Sequence, residues 1–271
     1  MDKVSIEKIM WEATRASVEA GKAILKVYET DFEVENKSDN SPLTRADTEA
    51  HDKICAMLEA SGLPILSEEG KSIPYAERKG WDHFWMVDPL DGTKEFVNRN
   101  GEFTVNIALI EKGYPMAGVI YIPVTDELFL GLPEVGALKF SKVSSLLQEI
   151  KTPALFMAQG SKLPLEQKER PYTVVCSRSH MSSETEAFIE ELRARHGHLE
   201  YASRGSSLKL CMVAEGKADI YPRFAPTMEW DTAAGQAIAE CSGASVIHSL
   251  TMERLGYNKE DLLNPWFIVK R

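Results

Sequence analysis

No stretch of the 271-residue sequence approaches the ~18–20 uninterrupted apolar residues that a membrane span needs. Its start, Met1-Asp2-Lys3-Val4-Ser5, enters an amphipathic pattern directly, without the apolar run of a signal peptide. Both absences predict a cytoplasmic protein with no integral membrane segment, and they leave a peripheral membrane contact open. Cysteine is scarce. Cys55, Cys176, Cys211 and Cys241 lie far apart without a C-x-x-C pair, which predicts four buried reduced thiols. Positive charge is not in excess either: 31 Lys and Arg stand against 41 Asp and Glu, for a net charge of −10. Long-range repulsion then argues against a nucleic-acid polymer or an anionic membrane as partner. A small phosphorylated substrate remains compatible, because divalent cations in an acidic pocket reverse the local field. His196 and His198 flank Gly197 at H-x-H spacing, but no cysteine or second pair accompanies them, so a solvated loop is expected. Repeats and low-complexity tracts are missing too.

What is there is the balance of a folded protein, 44% hydrophobic and 27% charged. Ile6, Ile9, Met10, Ala13, Ala20, Ile24, Val27 and Tyr28 recur at helical spacing, predicting a helix from about Ser5 to Glu29. A polar stretch ending at Pro42 precedes a second helix from about Arg45, stopped by Gly62 and Pro64. The period then changes. Trp81 to Val87 reads as a strand, and three further runs between Phe103 and Leu132 predict an antiparallel meander. Beyond about residue 133, strands and helices alternate, with Lys151 to Arg170 expected as a surface excursion. This is a mixed α/β chain with two sheet regions. A first α+β domain over residues 1–140 and a second α/β domain over residues 141–271 are expected.

The segment Asp88-Pro89-Leu90-Asp91-Gly92-Thr93 follows the end of the predicted strand. Pro89 fixes φ and Gly92 permits a tight turn, so the strand is expected to stop there. Its two carboxylates then converge at a strand's C-terminal edge, as hard oxygen donors of the kind magnesium prefers. Taken alone, the string is equally a solvated acidic turn. Glu68 and Glu69 beside Gly70 form a second acidic loop, or two exposed acids in a turn. Asp47 stands at a helix start and Asp231 beside Trp230, where each also suits a helix N-terminus. These six acids equal six of the ten units of net negative charge. Brought close together, they require a cation.

The ordered set S-P-L-T-x-A-D, E-E-G, D-P-L-D-G-T and W-D-T-A-A-G, over roughly residues 40 to 269, resembles the lithium-sensitive, magnesium-dependent phosphatases of the inositol monophosphatase superfamily. The longer strings Asp88 to Phe96, Asn100 to Ala108, Gly205 to Lys209 and Tyr221-Pro222-Arg223 resemble its bacterial 3'(2'),5'-bisphosphate nucleotidase branch. The resemblance implies a five-layer α-β-α-β-α sandwich, with most metal ligands in the first domain and Asp231 and the nucleotide-recognition residues in the second. It implies two or three magnesium ions held by Glu68, Asp88, Asp91, Asp231 and the Leu90 carbonyl. Asp47 and Thr93, assisted by Glu69, would activate a water. Glu68, Asp91, Gly92, Thr93, Lys94, His180, Ser206, Lys209, Arg223 and Asp231 would contact the substrate. The implied reaction converts 3'-phosphoadenosine 5'-phosphate to AMP and phosphate, with the sulfated form as a further substrate, in sulfur metabolism. Alternatives are an inositol or sugar phosphate phosphatase of the same superfamily, and a non-catalytic metal-dependent nucleotide sensor.

Overall fold

The apolar positions at helical spacing form α1 (Lys3–Tyr28), which packs against α2 (Arg45–Leu58). The computed structural model describes residues 3–36, 42–166, 169–176 and 182–271. Between these two helices, β1 (Glu35–Asn36) and β2 (Pro42–Leu43) make a minimal ladder. Thr44 caps α2, and Gly62 ends the following turn in the left-handed region at φ 69°.

A seven-stranded sheet follows. β3 (Ile65–Ser67) runs parallel to β4 (His83–Asp91), with the short α3 (Tyr75–Arg78) between them. After β4 and α4 (Thr93–Val97) come β5 (Thr104–Glu111), β6 (Tyr114–Ile122), β7 (Glu127–Leu132) and β8 (Gly136–Ser141), the expected antiparallel meander. Then α5 (Val143–Glu149) and α6 (Pro153–Met157) lead to β9 (Ser161–Lys162), which pairs with β8. The first sheet therefore extends about twenty residues past the expected division at residue 140. The expected surface excursion is partly interior: Phe156 is buried and stacks on Phe140 at 4.3 Å.

The second sheet has the order β11 (Leu199–Ala202), β10 (Tyr172–Val175), β12 (Ile220–Arg223), β14 (Phe267–Lys270), β13 (Ser245–His248). Strand β11 has a single buried residue, Leu199, and gave no readable alternation. Helix α7 (Ser183–His196) covers the outer face, while α8 (Leu208–Ala214) and α9 (Glu229–Cys241) lie between the sheets. Three apolar clusters mark the layers. One joins α1 and α2 to the first sheet, a second joins α8 and α9 to both sheets, and a third lies under α7. That is the five-layer sandwich. Both faces of the central strands are covered, so Phe84-Trp85-Met86-Val87 reads as a continuous apolar run rather than an alternation.

The middle layer is thin for a steric reason. Ala108, Gly118, Gly131 and Ala137 are cross-strand neighbours, making a stripe of small residues across four strands. Helix α9 sits directly on it: a Cβ on Gly118 would lie 2.7 Å from the Ala234 carbonyl oxygen, and one on Gly131 would lie 2.8 Å from that of Ala237. Helix backbone cannot yield as a side-chain tip can. A Gly118→Ala variant is expected to lose about 1–3 kcal/mol of stability, read as a lower urea midpoint at unchanged slope.

Among the described residues all four cysteines are free thiols; Cys211 is buried, whereas Cys55, Cys176 and Cys241 are only half-buried, less enclosed than expected. His196 and His198 are exposed, and the His196 ring stacks on Tyr172 at 3.8 Å.

Candidate active site

Strand β4 carries its acid inward by simple alternation. Trp85 and Val87 face α1 and α2, while Phe84 and Met86 face α8 and α9. Period two sends Asp88, only 2% exposed, towards the same side as Phe84 and Met86. The strand does not stop at Val87 as expected. It continues to Asp91 through a register irregularity between Asp88 and Asp91. Leu90, two residues beyond Asp88, consequently packs into the cluster on the opposite face. Its amide donates to Asp88 Oδ1 at 3.1 Å.

Gly92 then turns the chain into α4 at φ 90°. A Cβ there would meet Ser206 Oγ at 2.0 Å, so steric room and backbone angle both demand glycine. Gly92→Ala is expected to lower turnover by about 10²-fold through displacement of the loop. Steady-state kinetics on the folded variant checks this.

The N-terminus of α2 supplies Asp47, 1% exposed. Its Oδ2 accepts hydrogen bonds from Thr44 N at 2.8 Å and Thr44 Oγ1 at 2.7 Å, a reciprocal cap. Its Oδ1 accepts from Thr93 Oγ1 at 3.3 Å, and the same hydroxyl lies 3.4 Å from the Leu90 carbonyl. The fold thus joins two residues 46 positions apart. Glu68 follows β3, with its amide on the Val87 carbonyl at 3.1 Å, and half-buried Glu69 stands next to it. Asp231 is not the cap of α9. It lies in the first turn and accepts the Met228 amide through Oδ2 at 2.9 Å.

Glu68, Asp88 and Asp231 each present an oxygen within 4.8 Å of the others. Burial, then the charges of Glu68, Asp91, Asp231 and Asp47, push the Asp88 carboxyl well above its ordinary range. Burial and the neighbouring Asp91 charge raise Asp231 to about 8. Burial also raises Asp91 to about 6, against the lowering pull of Lys209 and of donors from Ser207 and Asn106. Several acids with upward shifts, all with oxygen donors, fit a divalent cation: it relieves the repulsion that protons otherwise relieve. Asp91 stands apart from the triad, since Ser207 N at 2.5 Å and Asn106 Nδ2 at 3.2 Å both donate to its Oδ2.

The residues expected to meet substrate arrive on other elements. Ser206 adopts φ 49°, and its hydroxyl lies 2.9 Å from the Asp91 carbonyl and 2.7 Å from that of Glu102. It braces the Asp88 to Thr93 segment. Lys209, 9% exposed, donates to the Ser206 carbonyl at 3.2 Å. Burial lowers its pKa, while Asp91 acts in the opposite direction. Arg223 donates through Nη2 to the Pro226 carbonyl at 3.0 Å, and its buried Nε has no partner among the described residues. Lys94 is exposed on α4. His180 lies outside the described residues. Three residues at the site had not been singled out: Thr104, Asn106 and Ser207. The signal was available, for Thr104 and Asn106 are polar residues two apart in a strand that is otherwise apolar up to its last residue, Glu111.

Residues 6–264 match the inositol monophosphatase family. The 3'(2'),5'-bisphosphate nucleotidase CysQ of Escherichia coli (strain K12) is 43% identical over 255 residues, spanning 92% of this chain and 94% of that protein. The crystal structure of CysQ from Bacteroides thetaiotaomicron, a bacterial member of the inositol monophosphatase family, superposes with a TM-score of 0.89 at 51% identity, covering 97% of this chain and 96% of that one. The Thermotoga maritima IMPase shares the fold at a TM-score of 0.69 and 19% identity, over 95% and 90% of the two chains.

Proposed function

This chain belongs to the inositol monophosphatase family, and on that premise we propose that it is a magnesium-dependent 3'(2'),5'-bisphosphate nucleotidase. Its substrate in this reading is 3'-phosphoadenosine 5'-phosphate, released as AMP and phosphate, with the sulfated form as a second substrate and lithium as an inhibitor. The observation that carries the reading is the Glu68, Asp88 and Asp231 cluster, in which Asp88 feels the charge of Asp47, itself hydrogen-bonded to Thr93. The relatives named as bisphosphate nucleotidases support the substrate class.

In this reading Glu68, Asp88, Asp91, Asp231 and the Leu90 carbonyl hold two or three magnesium ions. When bound, these supply charge neutralisation to the transferring phosphoryl group. Thr93 Oγ1, backed by Asp47 Oδ1, accepts a hydrogen bond from the attacking water, and Asp47 takes up the proton. Glu69 assists in holding that water. Attack forms the new P–O bond in line as the bond from phosphorus to the 3'-oxygen breaks, and the departing 3'-oxygen takes a proton from solvent. The Gly92 and Thr93 amides orient the scissile phosphate. Lys209, Arg223, Ser206, Lys94 and His180 recognise the rest of the nucleotide, a cation being needed for the 5'-phosphate that remains. The division of labour assigns residues 1–140 most of the metal ligands and the second half Asp231 and nucleotide recognition.

A panel of phosphate esters tests the assignment. With magnesium, kcat/KM for the bisphosphate nucleotide is expected to exceed that for inositol 1-phosphate and fructose 1,6-bisphosphate by about 10²-fold or more. The reverse ranking sinks the nucleotidase assignment and leaves a phosphatase of this family.

A further inference from the structure

Asn106 is an anomaly in its strand. It is 1% exposed on the face of β5 that also carries Ala108 and Ile110, opposite Asp88 in the ladder, while Thr104 stands opposite Asp91. A carboxamide is tolerated in such a place only when its polar atoms are paired. Here they are. Nδ2 donates to Asp91 Oδ2 at 3.2 Å, and Oδ1 accepts from Thr104 Oγ1 at 3.0 Å and Ser207 Oγ at 2.9 Å. The orientation of the amide follows from chemistry, because the reverse would set its oxygen against a carboxylate, whereas hydroxyls accommodate either end.

The pattern of donors to Asp91 is one-sided. Ser207 N at 2.5 Å and Asn106 Nδ2 at 3.2 Å both donate to Oδ2, and the Thr104 hydroxyl, whose proton goes to Asn106 Oδ1, lies 3.4 Å from the same oxygen. Among the described residues none of these donors is aimed at Oδ1. Ser207 comes from the loop that opens α8 and belongs to the second half of the chain, as does Ser206, whose hydroxyl reaches the Asp91 carbonyl.

We propose that Asn106 is a positioning residue: its amide, locked by Thr104 and Ser207, saturates one oxygen of Asp91 so that the other is presented to the cation. The same amide ties the metal loop to the Ser206–Lys209 segment. This rests on the reading of Asp91 as a cation ligand. Groups that orient a ligand carboxylate from behind govern metal affinity by about 10–100-fold.

The test is an electron paramagnetic resonance titration of Mn²⁺ into the full chain, with melting of the metal-free protein followed alongside. Asn106→Leu keeps the volume and removes both hydrogen-bonding roles. It is expected to weaken Mn²⁺ binding about 10–100-fold, with turnover recovering at saturating metal. Ser207→Ala removes only the lock and keeps the Ser207 amide; about three- to tenfold weakening is expected. Because both act through one carboxylate oxygen, the double variant should bind within about twofold of Asn106→Leu alone. Parental Mn²⁺ affinity in a folded Asn106→Leu protein overturns the proposal, and so does full additivity of the two changes. If Asn106→Leu does not fold, Ser207→Ala decides, and parental affinity there overturns it. An Asp91→Asn arm separates the two readings. Parental affinity in that variant refutes Asp91 as a ligand, whereas loss there with none in Asn106→Leu refutes only the positioning role.

Discussion

Asp47→Asn is expected to lower kcat by about 10²–10⁴-fold, the range typical of a lost proton acceptor, while KM changes far less. The side chain is nearly fully buried and spends Oδ2 on the Thr44 amide and hydroxyl and Oδ1 on Thr93. Asparagine keeps the shape and one acceptor oxygen but cannot take up a proton at neutral pH. The weakened cap costs about 1 kcal/mol, so the variant remains folded. Thr93→Val should mimic the defect and Thr93→Ser should largely escape it, since only the hydroxyl matters. Residues acting as a unit are non-additive, so Asp47→Asn/Thr93→Val should be little worse than either alone. Steady-state turnover together with nucleotide binding to each variant distinguishes the outcomes. An Asp47→Asn enzyme with parental kcat would remove Asp47 from the proton path.

The second large effect is on stability. Asp231 is raised to about 8 and Asp91 to about 6, from an ordinary aspartate value of 3.8. A carboxyl whose folded pKa lies above its unfolded one stabilises the fold fully below the unfolded pKa. That contribution is lost as pH rises through the folded pKa. Protein stripped with EDTA is therefore expected to lose on the order of a few kcal/mol between about pH 4 and pH 8. Magnesium binds the deprotonated carboxylates, so the gap in Tm between loaded and stripped protein should widen with pH. Asp231→Asn should flatten the pH dependence of the stripped form. Scanning calorimetry at pH 5, 6.5 and 8 measures all three, and a stripped protein whose Tm rises across that range contradicts the expectation.

Legibility varied with how local the determining physics was. Helices α1 and α2 were readable because their packing faces repeat along the chain, and the meander because its turns punctuate it. The edge strand β11, with one buried residue, carried no such pattern. Phe156 showed the opposite failure: its short segment has no period, yet its ring stacks in the core on a strand sixteen residues earlier. At the site, Gly92 announced the turn correctly, whereas Pro89 does not stop the strand: β4 keeps its pairing to Asp91 through an irregularity that sends Leu90 to the other face.

Residue chemistry and order were the sequence's own contribution. The acids, the turn glycine, the helix starts at Asp47 and Asp231 and the ordered motifs specify a phosphatase of this family, because each is a short-range statement about a few neighbouring residues. What Asp88 to Thr93 faces was decided by tertiary structure alone. The stripe from Ala108 to Ala137 sets how closely α9 approaches, and so brings Asp231 within 4.8 Å of the oxygens of Asp88 and Glu68. Strand register sets Asn106 and Thr104 opposite Asp88 and Asp91, and the second half of the chain supplies the Ser207 amide that donates to Asp91. The Ser207 and α9 contacts span more than a hundred residues, and those of Asn106 and Thr104 with Asp91 span 15 and 13. Their geometry depends on packing depth and register, which exist only once the layers have closed on one another.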